Sequence, residues 1–370
     1  KPVAAIFSLQ VKEIDREKQK QAYSDIIRRL DKWENDSMPK VELQERDLRF
    51  DNLNFDSPRT VSVSVKNTGL AQATFRFVPK LEEKEFCKPW LSLHPSFGMI
   101  PPGESLEVEV TACLDRTAIH TLNCGRDTLD DILILRFENG PHFFLSVSGS
   151  VLPTCFGMPL GKLVEAPGPV RGAAPGSGVE TSTPVSIPSE LWRLVDALYK
   201  NGAMQMQNLF IEKAQVSELH ELREALDTGS PFRSEISPYA FAITLIDFLE
   251  NLATPVLPFN GSLVKASGED ISVGWCTEYM ATLPPVNHNV FVYVVVFLKE
   301  LLTHTDKNRL TATALADIFA TVFTFPSTWA PVEDEIFLSA GDMTHLLQGK
   351  NRIAKATRNA RCMILIYLSA

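Results

Sequence analysis

The chain has 370 residues, 45% of them hydrophobic and 22% charged, which suits two or three packed domains and excludes a disordered or fibrous polypeptide over most of its length. Its formal charge of -9 makes nucleic acid a poor partner, because affinity for nucleic acid rests on Lys and Arg contacts to phosphate. Six cysteines (Cys87, Cys113, Cys124, Cys155, Cys276 and Cys362) form no C-x-x-C pair and no His/Cys cluster at metal-ligand spacing, so free thiols of a cytosolic protein are expected, with no metal and no cofactor.

Residues 3–11, V-A-A-I-F-S-L-Q-V, alternate as a strand with no turn before it, which reads as the end of a preceding domain. From Asp15 to Asp36 the apolar residues Tyr23, Ile26, Ile27, Leu30 and Trp33 recur at three- and four-residue steps among charges. That spacing predicts an amphipathic helix with one apolar stripe. Over 41–152 the period changes to two: Val61, Val63 and Val65, Phe75 and Phe77, Leu106, Val108 and Val110, and Leu145 and Val147 alternate with polar residues between turn signals such as N-T-G, P-P-G-E and E-N-G-P. Seven or so short strands at this spacing predict an antiparallel sandwich of about 110 residues. Residues 132–137, I-L-I-L-R-F, are apolar on both faces and should form a central strand, whereas 143–149, F-F-L-S-V-S-G, should be half exposed.

Pro and Gly crowd the stretch from Pro159 to Pro188, which predicts a flexible surface linker. Helical periodicity follows at 191–199, 239–250, 289–302 and 313–323, with prolines at the joins. The longest apolar run, Val290 to Leu302, is shorter than the ~20 residues of a membrane span. The expected layout is a multidomain chain. Residues 1–14 are the tail of an upstream domain, 15–38 a helix, 39–157 an all-β immunoglobulin-like sandwich, 158–186 a linker and 187–370 an all-α bundle.

Three phrases in the helical half resemble the RhoGAP domain family: D-F-L-E-N-L-A-T-P-V-L (247–257), L-P-P-V-N-H-N-V-F-V-Y-V-V-V-F-L (283–298) and N-R-L-T-A-T-A-L-A-D-I-F (308–319). In that family the loop after the first helix reads G-I-F-R-x-S-G. Its arginine neutralises charge on the transferred phosphoryl group, worth about 10³ to 10⁵ in rate. The matching stretch here is N-L-F-I-E-K-A (208–214), with Ile211 at the arginine position and Ala314 at that of a later polar asparagine. An aliphatic side chain offers no charge and no donor, so the resemblance implies a GAP shape without GAP chemistry. The competing reading is a working GAP that draws its cation from elsewhere, for instance Lys213 or Arg223.

The sandwich phrases F-C-K-P-W-L (86–91), N-C-G-R-D-T-L-D-D-I-L-I-L (123–135) and F-F-L-S-V-S-G-S-V-L-P-T-C-F-G (143–157) are similar to the ASH domain of type II (OCRL-type) inositol polyphosphate 5-phosphatases. Lys1-Pro2-Val3 resembles the close of their catalytic motif S-D-H-K-P-V, whose Asp and His are not in this sequence. The resemblance implies a non-catalytic targeting module of a phosphoinositide 5-phosphatase, cytoplasmic and peripheral on endosomal and Golgi membranes. It also implies partners: Rab GTPases at Ile26, Ile27, Leu30, Trp33, Phe143 and Phe144, and endocytic adaptor peptides containing Phe and His at Trp192 and Val195, with Rho-family GTPases as further candidates. Each has a plainer alternative, since Phe144 and Trp192 also suit a core and the helix stripe could pack on its own protein. The basic run Lys350 to Arg361 reads as the solvated face of a last helix or as an anchor for an anionic surface.

Overall fold

Asp15 opens the first helix, α1 (Arg16–Ser37): its Oδ1 accepts from the amides of Glu17 and Lys18 at 3.1 and 3.3 Å, so two of the orphan donors of the first turn are satisfied. No residue of this 22-residue helix is buried. The computed structural model describes residues 15–123, 125–165, 168–172, 185–258, 263, 271–324 and 343–369, with backbone only for 343–353. The strand expected at 3–11 and the domain tail at 1–14 lie outside these residues, as does Cys124; the other five cysteines are free thiols.

Nine strands follow, in two sheets. One runs β1 (Val41–Leu43), β3 (Arg59–Asn67), β7 (Ser105–Ala112), β5 (Leu91–His94); the other runs β2 (Asp47–Leu53), β9 (His142–Val151), β8 (Asp130–Phe137), β4 (Ala73–Val78), β6 (Phe97–Ile100). Antiparallel registers such as Val63 opposite Val108 and Leu133 opposite Leu145 put the period-two apolar residues on one side, where Phe50, Val65, Phe75, Val110, Leu135 and Phe137 form the core. The strand at 132–137 is central, as its pattern predicts, yet only one face is covered: Ile132 is exposed and Ile134 half-buried. Its outward isoleucines are available surface, a point taken up below.

The helical part contains α4 (Ser189–Lys200), α5 (Val216–Thr228), α6 (Pro238–Glu250), α7 (Val273–Thr282), α8 (Pro285–Leu302), α9 (Thr305–Asn308), α10 (Ala312–Thr324) and α11 (Met343–Ser369). By length and composition α8 would suit a membrane span, but Val290, Phe291, Val294, Phe297, Leu298 and Leu301 are buried in the core of this bundle. Compactness divides the chain differently from the sequence pattern. One unit holds residues up to 51 with 58–113 and 129–150; the other holds 52–57, 114–128 and everything from 151 on. The 114–128 segment carries a short helix, α2 (Arg116–Asn123), with Ile119 buried. Within this second unit Phe55 stacks on Phe156 at 5.0 Å, and Phe156 meets Phe248 edge-on at 6.0 Å.

The linker expectation is corrected over its first part. Residues 160–165 form α3, with Leu160, Leu163 and Val164 buried. Arg171 then donates to the Pro153 carbonyl at 2.6 Å, to Glu224 at 2.6 Å and to buried Asp227 at 3.0 Å. Composition hides this because three apolar side chains and one arginine suffice to tie down a Pro/Gly-rich stretch. Residues 173–184 are outside the described set.

In the sandwich the fully buried carboxylate of Asp131 accepts from Lys80 Nζ, from the Ile132 amide at 2.8 Å and from the Lys88 amide at 2.9 Å, fastening the 79–90 loop. Replacing it by alanine orphans these donors, and Asp131→Ala should cost about 2–3 kcal/mol in chemical denaturation; a cost under about 0.5 kcal/mol would show that the loop does not depend on it.

Candidate functional site

The turn after α4 is built to present one side chain. Leu209 and Phe210 are buried, with Phe210 edge-on to Phe319 of α10 at 5.1 Å. Asn208 adopts φ 52°, a left-handed conformation that asparagine tolerates, and its carbonyl accepts from the amides of Ile211 (2.8 Å) and Glu212 (3.1 Å). The Asn208 amide donates to the Asn308 carbonyl at 3.2 Å. Asn308 is itself fully buried: its Nδ2 donates to the carbonyls of Met204 (3.1 Å) and Leu301 (2.7 Å), and its Oδ1 accepts from the Leu310 amide at 2.9 Å. The two preceding apolar residues turn inward and Ile211 faces out, 60% exposed. Ala314, in the first turn of α10, is half-buried and carries no polar side-chain group.

A second surface lies on α1 and β9. Tyr23, Ile26, Ile27, Leu30 and Trp33 are all exposed, Trp33 by 71%, so the stripe has no partner within the described chain. Phe144 is 61% exposed and pairs in register with Ile134 on β8. Phe143 must be corrected as a surface residue: it is 8% exposed, edge-on to core Phe137 at 5.9 Å, with the Arg46 guanidinium over its ring at 5.3 Å. Successive residues of a strand face opposite ways, so only one of the two phenylalanines can serve an interface.

The third surface surrounds Trp192, which is 53% exposed beside a groove of ≈ 430 Å³ walled by Asp196, Lys200, Phe232 and Arg233. The Arg193 guanidinium sits over the Phe232 ring at 4.5 Å and donates to the Ala225 carbonyl at 2.9 Å, which holds that wall in place. Val195 is corrected: at 1% exposure it belongs to the bundle core with Leu191, Leu194 and Leu198. The far wall, Pro231 to Ser234, was not anticipated; its aromatic between a proline and an arginine was the available signal. In the basic run the side chains of residues 350–353 are outside the described set; Arg361 pairs with Asp317 of α10 and Arg358 is exposed. Among the described residues no group of His, Cys, Asp and Glu is placed to hold a metal.

Family models match this chain twice: the ASH domain of the OCRL-like inositol polyphosphate 5-phosphatases over residues 43–151, and the RhoGAP domain over residues 188–328. The chain carries an OCRL-like ASH domain followed by a RhoGAP domain. It is 34% identical over 340 residues to the mouse type II inositol 1,4,5-trisphosphate 5-phosphatase, covering 87% of this chain and 34% of that protein, so it spans about a third of the relative's length. Rat Rho GTPase-activating protein 24 is 27% identical over 157 residues, 40% of this chain and 20% of that one. A solved structure of human Rho GTPase activating protein 15 aligns at a TM-score of 0.39 and 17% identity, over 57% of this chain and 92% of that one.

Within the RhoGAP domain the other cations differ sharply in freedom. Arg223 of α5 is engaged: its Nε and Nη2 donate to Asp247 Oδ2 at 2.8 and 2.7 Å, Nη2 also reaches Asp56 at 2.9 Å, and the guanidinium covers the Phe55 ring at 5.6 Å. Releasing it would strand a carboxylate in a poorly hydrated site, so it is a structural cation. Lys213 and Arg309 are exposed, and neither has a side-chain ion pair among the described residues.

Burial raises the pKa of Asp247, and Arg223 opposes that rise. A carboxyl held above its ordinary value of ~4 binds its proton more tightly in the folded state, so its contribution to stability declines as pH rises through that window. Arg223→Ala should therefore destabilise the domain by about 2–4 kcal/mol at neutral pH and by less on acidification toward the unfolded carboxyl pKa. Denaturation across pH would contradict this if the deficit were flat.

Proposed function

We propose that this chain is a non-catalytic interaction module that binds small GTPases and adaptor peptides, and so places a phosphoinositide 5-phosphatase on endosomal and Golgi membranes. The observation that carries the reading is Ile211. The turn that would deliver an arginine is intact in its anchoring, yet its outward residue is uncharged. A RhoGAP domain of this kind keeps a surface for a GTPase without the cation that stabilises the transferring phosphoryl group.

Rab-family GTPases in their GTP state are the proposed partners of α1 and β9. An unpartnered stripe of Ile26, Ile27, Leu30 and Trp33 together with exposed Phe144 supports this, because aromatic and aliphatic anchors of this sort dominate the energetics of standard interfaces. Rho-family GTPases are proposed for the Ile211 face. The Trp192 groove is proposed for adaptor peptides that bring a Phe and a His, with its apolar wall taking the ring; Asp196, which pairs with Lys200 at 2.6 Å, is the carboxylate the imidazole would share. A second reading, an active GAP, draws support from the exposed and unpaired Lys213 two residues beyond Ile211. It is disfavoured because an ammonium is a point charge without the planar fork of a guanidinium.

The test is binding of a Rab panel loaded with a non-hydrolysable GTP analogue or with GDP. The expected result is capture of at least one Rab in the GTP-like state only, weakened at least about tenfold by Trp33→Ala and by Phe144→Val, neither of which removes a core contact. Absence of nucleotide-dependent binding across the panel would remove the Rab assignment.

A further inference from the structure

The outward face of the five-stranded sheet carries a row of basic side chains that the GTPase reading does not use. Arg76 on β4 lies directly opposite Arg136 on β8, and Arg136 lies directly opposite His142 on β9. All three are exposed, and residues in direct register share a face, so two guanidinium groups and an imidazole stand side by side across three neighbouring strands. Like charges in that arrangement repel, and an ordinary sheet relieves them with an interleaved carboxylate. None does so here: among the described residues, no side-chain ion pair or hydrogen bond engages Arg76, Arg136 or His142.

The row sits in a concavity of ≈ 440 Å³ lined by Arg76, Arg136, Glu138, Asn139, Gly140 and His142. The hairpin turn that closes it is unusually tight. Asn139 has φ 52°, and a Cβ on Gly140 would come within 2.9 Å of Pro39 and 3.0 Å of Phe137, so a side chain at 140 would crowd the turn. A volume of this size falls within the range of about 300–1,000 Å³ for small-ligand sites and exceeds what one carboxylate fills. Elsewhere on the sheet carboxylates offset the basic groups: Asp47 and Asp51 flank Arg49 on β2, and Asp130 is exposed on β8. That distribution suits a compact, multiply charged oxyanion better than a flat anionic plane.

We propose that the Arg76–Arg136–His142 row is a binding site for a phosphate monoester, whose dianion would be gripped by two guanidinium forks with the imidazole as a third donor. One exposed carboxylate, Glu138, stands at the rim and leaves the site net positive. The shared chemistry is the monoester group, whether on a lipid headgroup or on a soluble sugar or polyol phosphate. Phe144 lies two residues beyond His142 on the same face of β9, opposite Ile134, so a lipid source would place apolar side chains beside the headgroup.

The site is tested on the full chain with inorganic phosphate, glycerol phosphate and phosphatidylcholine vesicles containing phosphatidic acid. Phosphate should raise the melting temperature of the wild type more than chloride does at equal ionic strength. Arg136→Gln should abolish that difference and weaken glycerol phosphate binding at least about tenfold. The variant should melt no lower than the wild type without phosphate, since it removes a repulsion, and this separates loss of the site from loss of fold. Arg49→Gln, on the outward face of β2 and away from the row, should retain the full response. Vesicle flotation that needs phosphatidic acid and Arg136 supports a lipid source; a response to glycerol phosphate without flotation supports a soluble one. Equal flotation with phosphatidylserine, an equal phosphate effect in Arg136→Gln, or a response confined to a phosphoserine peptide would overturn the proposal.

Discussion

The buried side-chain amide of Asn308 is the constraint on which the turn that displays Ile211 depends. Its donors reach Met204 and Leu301, its oxygen takes the Leu310 amide, and its backbone carbonyl takes the amide of Asn208. One residue thereby joins the end of α8, the start of α10 and the turn after α4. Each of those bonds satisfies a group that would cost about 1–3 kcal/mol to leave unpaired in the interior. The turn is fixed from beneath by these bonds and by Leu209 and Phe210, so the chemistry of its outward position is decided by the identity of residue 211 alone. A guanidinium there would meet solvent or a partner; an isoleucine presents only apolar surface.

Binding and catalysis draw on different physics, which is why one can persist without the other. Affinity comes from buried apolar area and a few anchors, and the chain is rich in candidates: the α1 stripe, Phe144 and Trp192. Rate acceleration in phosphoryl transfer comes from charge placed where charge develops. Arg223 of the same domain is held by Asp247 and Asp56 and serves the fold. On the reading proposed here, the ASH and RhoGAP domains retain the first property and have given up the second.

Much of this was legible in the sequence because burial follows period. Phe143, Leu145 and Val147 are in phase along β9, and that phase alone excludes Phe143 from the surface and admits Phe144. Leu191, Leu194, Val195 and Leu198 form the buried stripe of α4, which places Val195 inside and leaves Trp192 out of phase. Reading those residues by motif rather than by phase grouped inward and outward neighbours together. The apolar pattern of 132–137 gave the central position of β8 but suggested two buried faces, because an exposed face that carries isoleucine looks like a core face in sequence. The packed start of the Pro/Gly stretch was hidden by composition. The basic row was illegible for a deeper reason: Arg76 and Arg136 are far apart in the chain, and only strand register brings them together.

On the proposed reading, an anchored turn displays an isoleucine where phosphoryl-transfer chemistry needs a cation. Single-turnover GTP hydrolysis by Rho-family GTPases, with and without saturating chain, tests it most directly. The account predicts acceleration of less than about tenfold, or under ~1.4 kcal/mol of transition-state stabilisation. Acceleration approaching the ~10³-fold of an arginine finger, lost on removing the charge of Lys213 or Arg309, would contradict it.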